Sequence, residues 1–257
     1  MDFFEKKIAI DIGNSFIKIK YYDNDEIHFI HSDEFTSDNL KQYFYTKEKI
    51  DSAIISSVNT EMESQIVNVL ADNNVTIYLV DSLLRKQNII DFSNVDGMGN
   101  DRKVGFFGAL KYVSSPIITV DCGTAITINI LSKDNICLGG AIMCGVGTQA
   151  RALEHFTSSL PIVKINFKSS VNIDNTVGAI NSGIISAVKG GVIDFISNVI
   201  FKKDLQNVNI IFSGGYSSYV FKLCKNRFNK FQTIKSVDVK NNIVLYGLEK
   251  LMETFNN

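Results

Sequence analysis

The feature that most constrains this chain is a strand–turn–strand unit that occurs twice. Near the middle, Ile117 to Val120 are aliphatic or β-branched, Asp121-Cys122-Gly123-Thr124 bends the chain, and Ala125 to Asn129 returns as a second arm. Aliphatic and β-branched arms about a Gly-containing turn predict a β-hairpin. At the N-terminus, Ile8-Ala9-Ile10-Asp11-Ile12-Gly13-Asn14-Ser15-Phe16-Ile17-Lys18-Ile19 repeats the arrangement. Asp11 answers to Asp121, Gly13 to Gly123 and Asn14 to Thr124 at one constant separation, and the match runs on into polar turns at 23–25 and 133–135. Two copies are too few for a solenoid, which needs several stacked repeats. They fit two related halves, each opening on the same hairpin.

An aspartate that closes a strand ahead of a Gly turn suits phosphate and cation chemistry. Glycine lets backbone N–H groups approach an anion, Thr124 adds a hydroxyl donor, and the carboxylate can hold a neutralising cation. Two such hairpins facing across a cleft could grip the two ends of a polyphosphate. A single D-x-G-T also makes an ordinary hairpin, so the duplication carries the argument.

Charge and composition remove several classes. Lys and Arg number 26 against 27 Asp and Glu, a net charge of −1 that leaves no basic excess for a nucleic acid or an anionic membrane surface. With 45% hydrophobic and 21% charged residues, the 257-residue chain can bury a core in one large domain or two smaller ones. The start, Met1 to Lys7, lacks the apolar stretch of a signal peptide, and the apolar run 117–131 is too short to span a bilayer and carries Asp121. Cys122, Cys137, Cys144 and Cys224 show no C-x-x-C spacing, so neither a zinc site nor a disulfide framework is indicated. The expectation is a soluble protein of a reducing, cytoplasmic setting.

In chain order the first half predicts strands near 7–11, 15–22 and 26–31, a polar helix around 37–47 and a strand at 53–57. A helix at 61–72 follows, with Met62, Ile66, Val69 and Leu70 on one stripe, then a strand at 75–80 and an irregular segment to about 100. Helix 103–113 bridges the halves and is stopped by Ser114-Ser115-Pro116. The second half repeats the hairpin to 131 and adds helix 148–156, a long apolar helix 178–200, strand 208–213 and a closing helix 241–255. Strands alternating with helices predict an α/β architecture.

Three further stretches carry chemistry-bearing residues. Asp96-Gly97-Met98-Gly99-Asn100-Asp101-Arg102 places a candidate general base, Asp101, beside the planar clamp of Arg102 in a loop expected just before helix 103–113. A helix-capping aspartate with a solvated arginine is the plainer alternative. Leu138 to Gly147 is dense in glycine ahead of helix 148–156, which suits either an anion or a close-packed turn. Ile211-Phe212-Ser213-Gly214-Gly215 runs a strand into a Gly-Gly turn that can accommodate a base and ribose. None is a Walker loop or a dinucleotide fingerprint.

Together these pieces resemble the superfamily of acetate and sugar kinases, heat-shock chaperones and actin. Within it, Gly99-Asn-Asp-Arg102 ahead of Asp121-Cys-Gly-Thr-Ala125 is similar to the type III pantothenate kinases, and the resemblance continues through Leu138 to Ile142, Ala152-Leu153, Leu160-Pro161, Asn175-Thr176 and Ser182-Gly183. It implies two ribonuclease-H-like (actin/sugar-kinase-type) halves, 1–113 and 114–257, with a central cleft. The activity it implies is ATP-dependent phosphorylation of the 4′-hydroxyl of pantothenate, which opens coenzyme A synthesis. Mg²⁺, a monovalent cation such as K⁺ or NH₄⁺, and a homodimer with shared active sites come with it, and neither nucleic acid nor membrane is a partner.

Carried over residue by residue, Asp11, Ile12, Gly13, Asn14, Ser15, Phe16, Ile17 and Lys18 would face the ATP phosphates, with Asp11 near the Mg²⁺. Asp101 would take the proton from pantothenate's hydroxyl, and Gly99, Asn100 and Arg102 would help hold the substrate. Asp121 would hold the monovalent cation, Thr124 would contact phosphate, and Thr176 would reach pantothenate bound in the other subunit. Four positions depart from the family pattern: Cys144 replaces a usual proline, Asn129 an aspartate, Ser15 a threonine, and Phe92 a tyrosine that contacts substrate. A non-catalytic nucleotide-binding regulator on the same fold, or a different enzyme of the superfamily, is the alternative reading; the second would not need Gly99 to Arg102.

Overall fold

The computed structural model describes residues 6–23, 26–36, 49–168 and 173–256. The helix expected at 37–47 lies outside them. The chain divides into two compact units, Met1–Ile90 with Asp96–Tyr112 and Ile243–Asn257, and Asp91–Val95 with Val113–Asn242.

In the first unit the strands are β1 (Lys7–Ile12), β2 (Phe16–Tyr21), β3 (Ile27–His31), β4 (Ser52–Ser57) and β5 (Thr76–Leu79), ordered β3-β2-β1-β4-β5 among the described residues. β1 is antiparallel to β2 and parallel to β4. Period-two alternation divides the sheet into two unlike faces. Ile8, Ile10 and Ile12, with Ile17, Ile19, Ala53 and Ile55, form an apolar layer against Ile66, Val69 and Leu70 of α1 (Thr60–Asp72). Asn59 caps that helix by accepting from the Met62 N–H at 3.1 Å. The opposite face bears Asp11, Lys18, Lys20, Ser52 and Ser56, and α2 (Val80–Lys86), α3 (Asn100–Ala109) and α7 (Ile243–Asn256) pack over it.

Helices α3 and α7 meet backbone to backbone. A Cβ on Gly108 would overlap the Ile243 carbonyl, and one on Gly247 would overlap the Val104 carbonyl. Beside the crossing, the Nζ of buried Lys20 sits 3.4 Å from Glu249 of α7 and 5.3 Å from the Tyr246 ring centre. That contact ties the end of the chain to its first hairpin.

The second unit repeats the topology. Its strands are β6 (Ile117–Cys122), β7 (Ala125–Leu131), β8 (Cys137–Cys144), β9 (Val208–Ser213) and β10 (Ile234–Val239), ordered β10-β9-β6-β7-β8. β6 is antiparallel to β7 and parallel to β9, so β6 to β10 take the places of β1 to β5. The helices are α4 (Val146–Phe156), α5 (Thr176–Lys202) and α6 (Ser217–Phe228). Along α5, Ile180, Ile184, Val188, Val192, Ile196 and Ile200 recur every fourth residue as one buried stripe in the core of this unit. Length and composition alone would let α5 cross a membrane; that core stripe accounts for much of its apolarity. Ile185, Ile193 and Phe195, which extend the apolar surface beyond the stripe, are half-buried.

Several elements differ from expectation. Residues 81–86, expected to be irregular, fall in α2, which takes over from the expected strand at Val80, and α3 begins at Asn100 rather than 103. Asp101 and Arg102 therefore stand in the first helical turn, not in a loop ahead of it. The glycine-dense stretch from Leu138 is largely an edge strand, where Gly140 lets β8 lie close to the Ile128 carbonyl. Strand β10 has too mixed a composition to stand out from sequence, and the closing helix packs with the first unit although it ends the chain.

Candidate active site

In the first unit the site begins where β1 ends. Asp11 and Lys18 are register partners across the hairpin, and the Lys18 ammonium donates to Asp11 Oδ2 at 3.4 Å. Between them the chain turns through Gly13, exposed Asn14 and half-buried Ser15, with the Gly13 N–H donating to the Phe16 carbonyl at 3.0 Å. Ile12 and Ile17 are core residues that anchor the turn, and Phe16 is 42% exposed at its edge. Burial pushes the Asp11 carboxyl above its ordinary 3.8; Lys18 opposes the rise, and the charge of Asp101 adds to it. The fold thus brings both Lys18 and Asp101 within electrostatic reach of Asp11, although Asp101 lies far from it in sequence.

Asp101 stands in the first turn of α3, where the unpaired N–H groups favour a carboxylate. No side chain caps that helix: Gly99 is the N-cap, and a Cβ there would lie 2.6 Å from Asp101 Oδ1. The carboxylate folds back over the glycine. Asn100 is held by donating to Asp81 Oδ1 of α2 at 3.0 Å, a contact that sequence reading missed because residues 81–86 looked irregular. Arg102 follows, half-exposed.

In the second unit Asp121 closes β6, and Gly123 donates to the Ala125 carbonyl at 3.0 Å. This turn is one residue shorter than its counterpart: Asp11 pairs with Lys18, whereas Asp121 pairs with Thr127. The constant separation therefore holds into the turn and slips by one on the return arm. Gly214 has φ +89°, and a Cβ on it would lie 2.6 Å from Asp121 Oδ1 and 2.8 Å from Cys122 backbone atoms. The Gly-Gly turn after β9 is therefore pressed against the Asp121 carboxylate. The Thr124 carbonyl accepts from the Gly145 N–H at 2.9 Å and from the Thr148 hydroxyl at 2.6 Å, which holds the exposed Thr124 on the start of α4. Phe92 is half-buried in this unit, and Thr176 is the exposed first residue of α5, next to the capping Asn175.

Two of the departures from the family pattern have a structural reading. Asn129 is buried and donates to Thr119 Oγ1 at 3.2 Å, so an amide there cross-links β6 and β7. Cys144 is exposed at the end of β8. Burial pushes the Cys122 and Cys224 thiols up, the latter to about 12, which keeps both protonated and inert.

The profile of the type III pantothenate kinase family matches residues 7–198. The chain belongs to the type III pantothenate kinase family. Like the family member from Finegoldia magna, to which it is 30% identical over 233 residues (85% of this chain and 89% of that protein), it carries the family pattern along most of its length. The type III pantothenate kinase of Christiangramia forsetii is 28% identical over 252 residues, 96% of this chain and 97% of that one. Solved structures show the same fold. A Campylobacter jejuni protein described as a Baf-family transcriptional activator aligns with a TM-score of 0.63 at 19% identity, covering 97% of this chain and 99% of its own. Porphyromonas gingivalis acetate kinase aligns at 0.56 and 10% identity, covering 99% of this chain and 100% of its own. The chain thus has the α/β fold that these structures share, with two units of the same sheet topology.

Proposed function

We propose that this chain transfers the γ-phosphoryl group of ATP to the 4′-hydroxyl of pantothenate, the first step of coenzyme A biosynthesis. Family membership sets the reaction, and one observation carries the assignment of residues: Asp101 lies close enough to Asp11 for its charge to bear on that carboxyl, and both stand in one unit with Lys18. Phosphoryl transfer asks a protein mainly for positioning, charge neutralisation and a base.

Asp101 would accept the proton of the attacking hydroxyl, with Arg102 hydrogen-bonding the acceptor's carboxylate or amide oxygens. Lys18 and the turn 12–16 would lie along the phosphates. The first unit suits a divalent cation: Asp11 is a buried carboxylate that also feels the negative charge of Asp101, and a cation bound there would offset both. Among the described residues no group of three or more His, Cys, Asp or Glu could cage a metal. That fits Mg²⁺, which typically takes one or two carboxylates together with water and substrate phosphates. Bound there, Mg²⁺ would neutralise phosphate charge. Asp121, backed by Gly214, would hold a monovalent cation, and Thr124 would contact phosphate.

The working form in this proposal is a homodimer in which Thr176 completes the partner's pantothenate site. Support comes from α5, whose outward residues Gly183, Ser186, Ala187 and Gly190 are exposed and small enough for close approach of a second helix. Phe156, Ile162, Ile173, Val177 and Phe201, also in this unit, are exposed apolar side chains. A cytoplasmic location follows from the use of ATP. Both Asp101 and Arg102 are present, and nothing favours the non-catalytic alternative.

The test is a panel of hydroxyl and carboxylate acceptors with Mg·ATP, scored by ADP release and by mass spectrometry of the product. Pantothenate should yield 4′-phosphopantothenate, with far slower turnover on acetate or sugars. Phosphorylation of another acceptor in preference to pantothenate would overturn the assignment.

A further inference from the structure

β4 carries two serines, Ser52 and Ser56, on the sheet face that holds Asp11. Both are buried, and neither Oγ has a hydrogen-bond partner among the described residues. A buried hydroxyl with no partner has lost its water without compensation, so each calls for an explanation. Their surroundings differ. Parallel pairing sets Ser52 beside Lys7 and Ser56 beside Asp11, and paired residues project from the same face. With a rise of about 3.3 Å per residue, the two hydroxyls are roughly 13 Å apart.

Asp11 is therefore flanked on both sides. Lys18 on β2 gives it an ammonium, and Ser56 on β4 offers an unused hydroxyl. Neighbouring strands lie about 4.8 Å apart, a span that a single water bridges. Helix α3, which presents Asp101, packs against β4 and helps to close this face.

We propose that Ser56 is a positioning residue of the phosphoryl-transfer site, whose hydroxyl is reserved for the hydrated divalent cation held at Asp11. Its oxygen accepts from a water of the cation's shell, and its own hydrogen is free for the Asp11 carboxylate. The inference rests on the reading that Asp11 takes the divalent cation. Second-layer partners of this kind orient the carboxylate and typically change metal affinity 10- to 100-fold. The hydroxyl is a burden to the empty protein and an asset to the loaded one, a combination that a purely structural serine does not have.

Mn²⁺ binding in the presence of a non-hydrolysable ATP analogue, followed by electron paramagnetic resonance, tests this, paired with thermal melts of the ligand-free protein. Ser56→Ala should weaken Mn²⁺ by about 10- to 100-fold while the ligand-free protein melts at the same temperature or higher. Ser52→Ala, the control at the far end of the strand, should melt likewise and bind Mn²⁺ as wild type does. Asp11→Asn should lose Mn²⁺ affinity. If Asp11→Asn loses it and Ser56→Ala stays within about twofold of wild type, the Ser56 proposal fails alone. If Asp11→Asn also binds normally, the reading of Asp11 fails first. A clear drop in the ligand-free melting temperature of Ser56→Ala would make its hydroxyl structural and overturn the proposal.

Discussion

At the scale of single residues, the site is governed by what is buried beside what. The Asp11 carboxyl titrates above 3.8 in the folded chain because burial disfavours its charge more than Lys18 restores it. The folded value exceeds the unfolded one, so the fold favours neutral Asp11. No penalty exists below pH 3.8, and a penalty grows as pH rises through the folded value. Asp11→Asn, free of metal and nucleotide, should therefore melt above wild type at pH 7, with the gap narrowing as pH falls toward 4. A gap that does not change with pH would remove the buried charge from the account. Gly99 supports a second prediction. The Cβ of Gly99→Ala would meet Asp101 Oδ1 at 2.6 Å, so the carboxylate must turn away. Turnover should fall at least tenfold, in line with general-base contributions of about a hundred- to ten-thousand-fold, while ATP affinity and melting temperature change little. Unchanged kcat would show that Asp101 does not need that position. Asp11, Gly99 and Asp101 were legible in the sequence as types in a pattern. Asp81 and Ser56 were not, because one side-chain contact and one strand register reveal them, and neither leaves a mark on local composition.

At the scale of elements, the duplicated hairpin was readable because aliphatic alternation and a Gly turn are local signals. The structure extends that duplication to whole sheets: β1-β2-β3 with β4-β5 is matched by β6-β7-β8 with β9-β10. Strand β8 was missed because its glycines read as a turn, although Gly140 serves close strand approach. Helix α3 was placed three residues late because Gly99 gives no side-chain cap to mark its start. The α3–α7 crossing depends on residues with no side chain at all. Gly247→Val would drive methyl groups into the Val104 carbonyl; overpacking of this kind destabilises by about 1–3 kcal/mol or more. Urea unfolding should report at least about 1 kcal/mol lost, and turnover should drop because α3 carries Asp101. A variant as stable and active as wild type would show that the two helices can separate without consequence.

At the scale of the whole molecule, chain order and packing part company, since residues 243–256 close the chain yet cover the first unit's sheet. No sequence signal near residue 243 announces this; the pairing of Lys20 with Glu249 does. The proposed dimer has its own test. Asp101→Asn and Thr176→Phe should each be nearly inactive as homodimers, whereas a mixed dimer holds one site with both defects and one with neither. Random assembly makes half the dimers mixed, so about a quarter of wild-type activity should return. No recovery in proven mixed dimers would put Thr176 in its own subunit's site or outside the site. The central claim is that Asp101 serves the chemical step and not the binding of nucleotide. Its most direct test is single-turnover phosphorylation of pantothenate by Asp101→Asn at saturating substrates, measured beside the affinity for an ATP analogue. The account predicts analogue affinity within about twofold of wild type and a rate lower by about a hundred- to ten-thousand-fold. A variant that keeps more than about a tenth of the wild-type rate would contradict it.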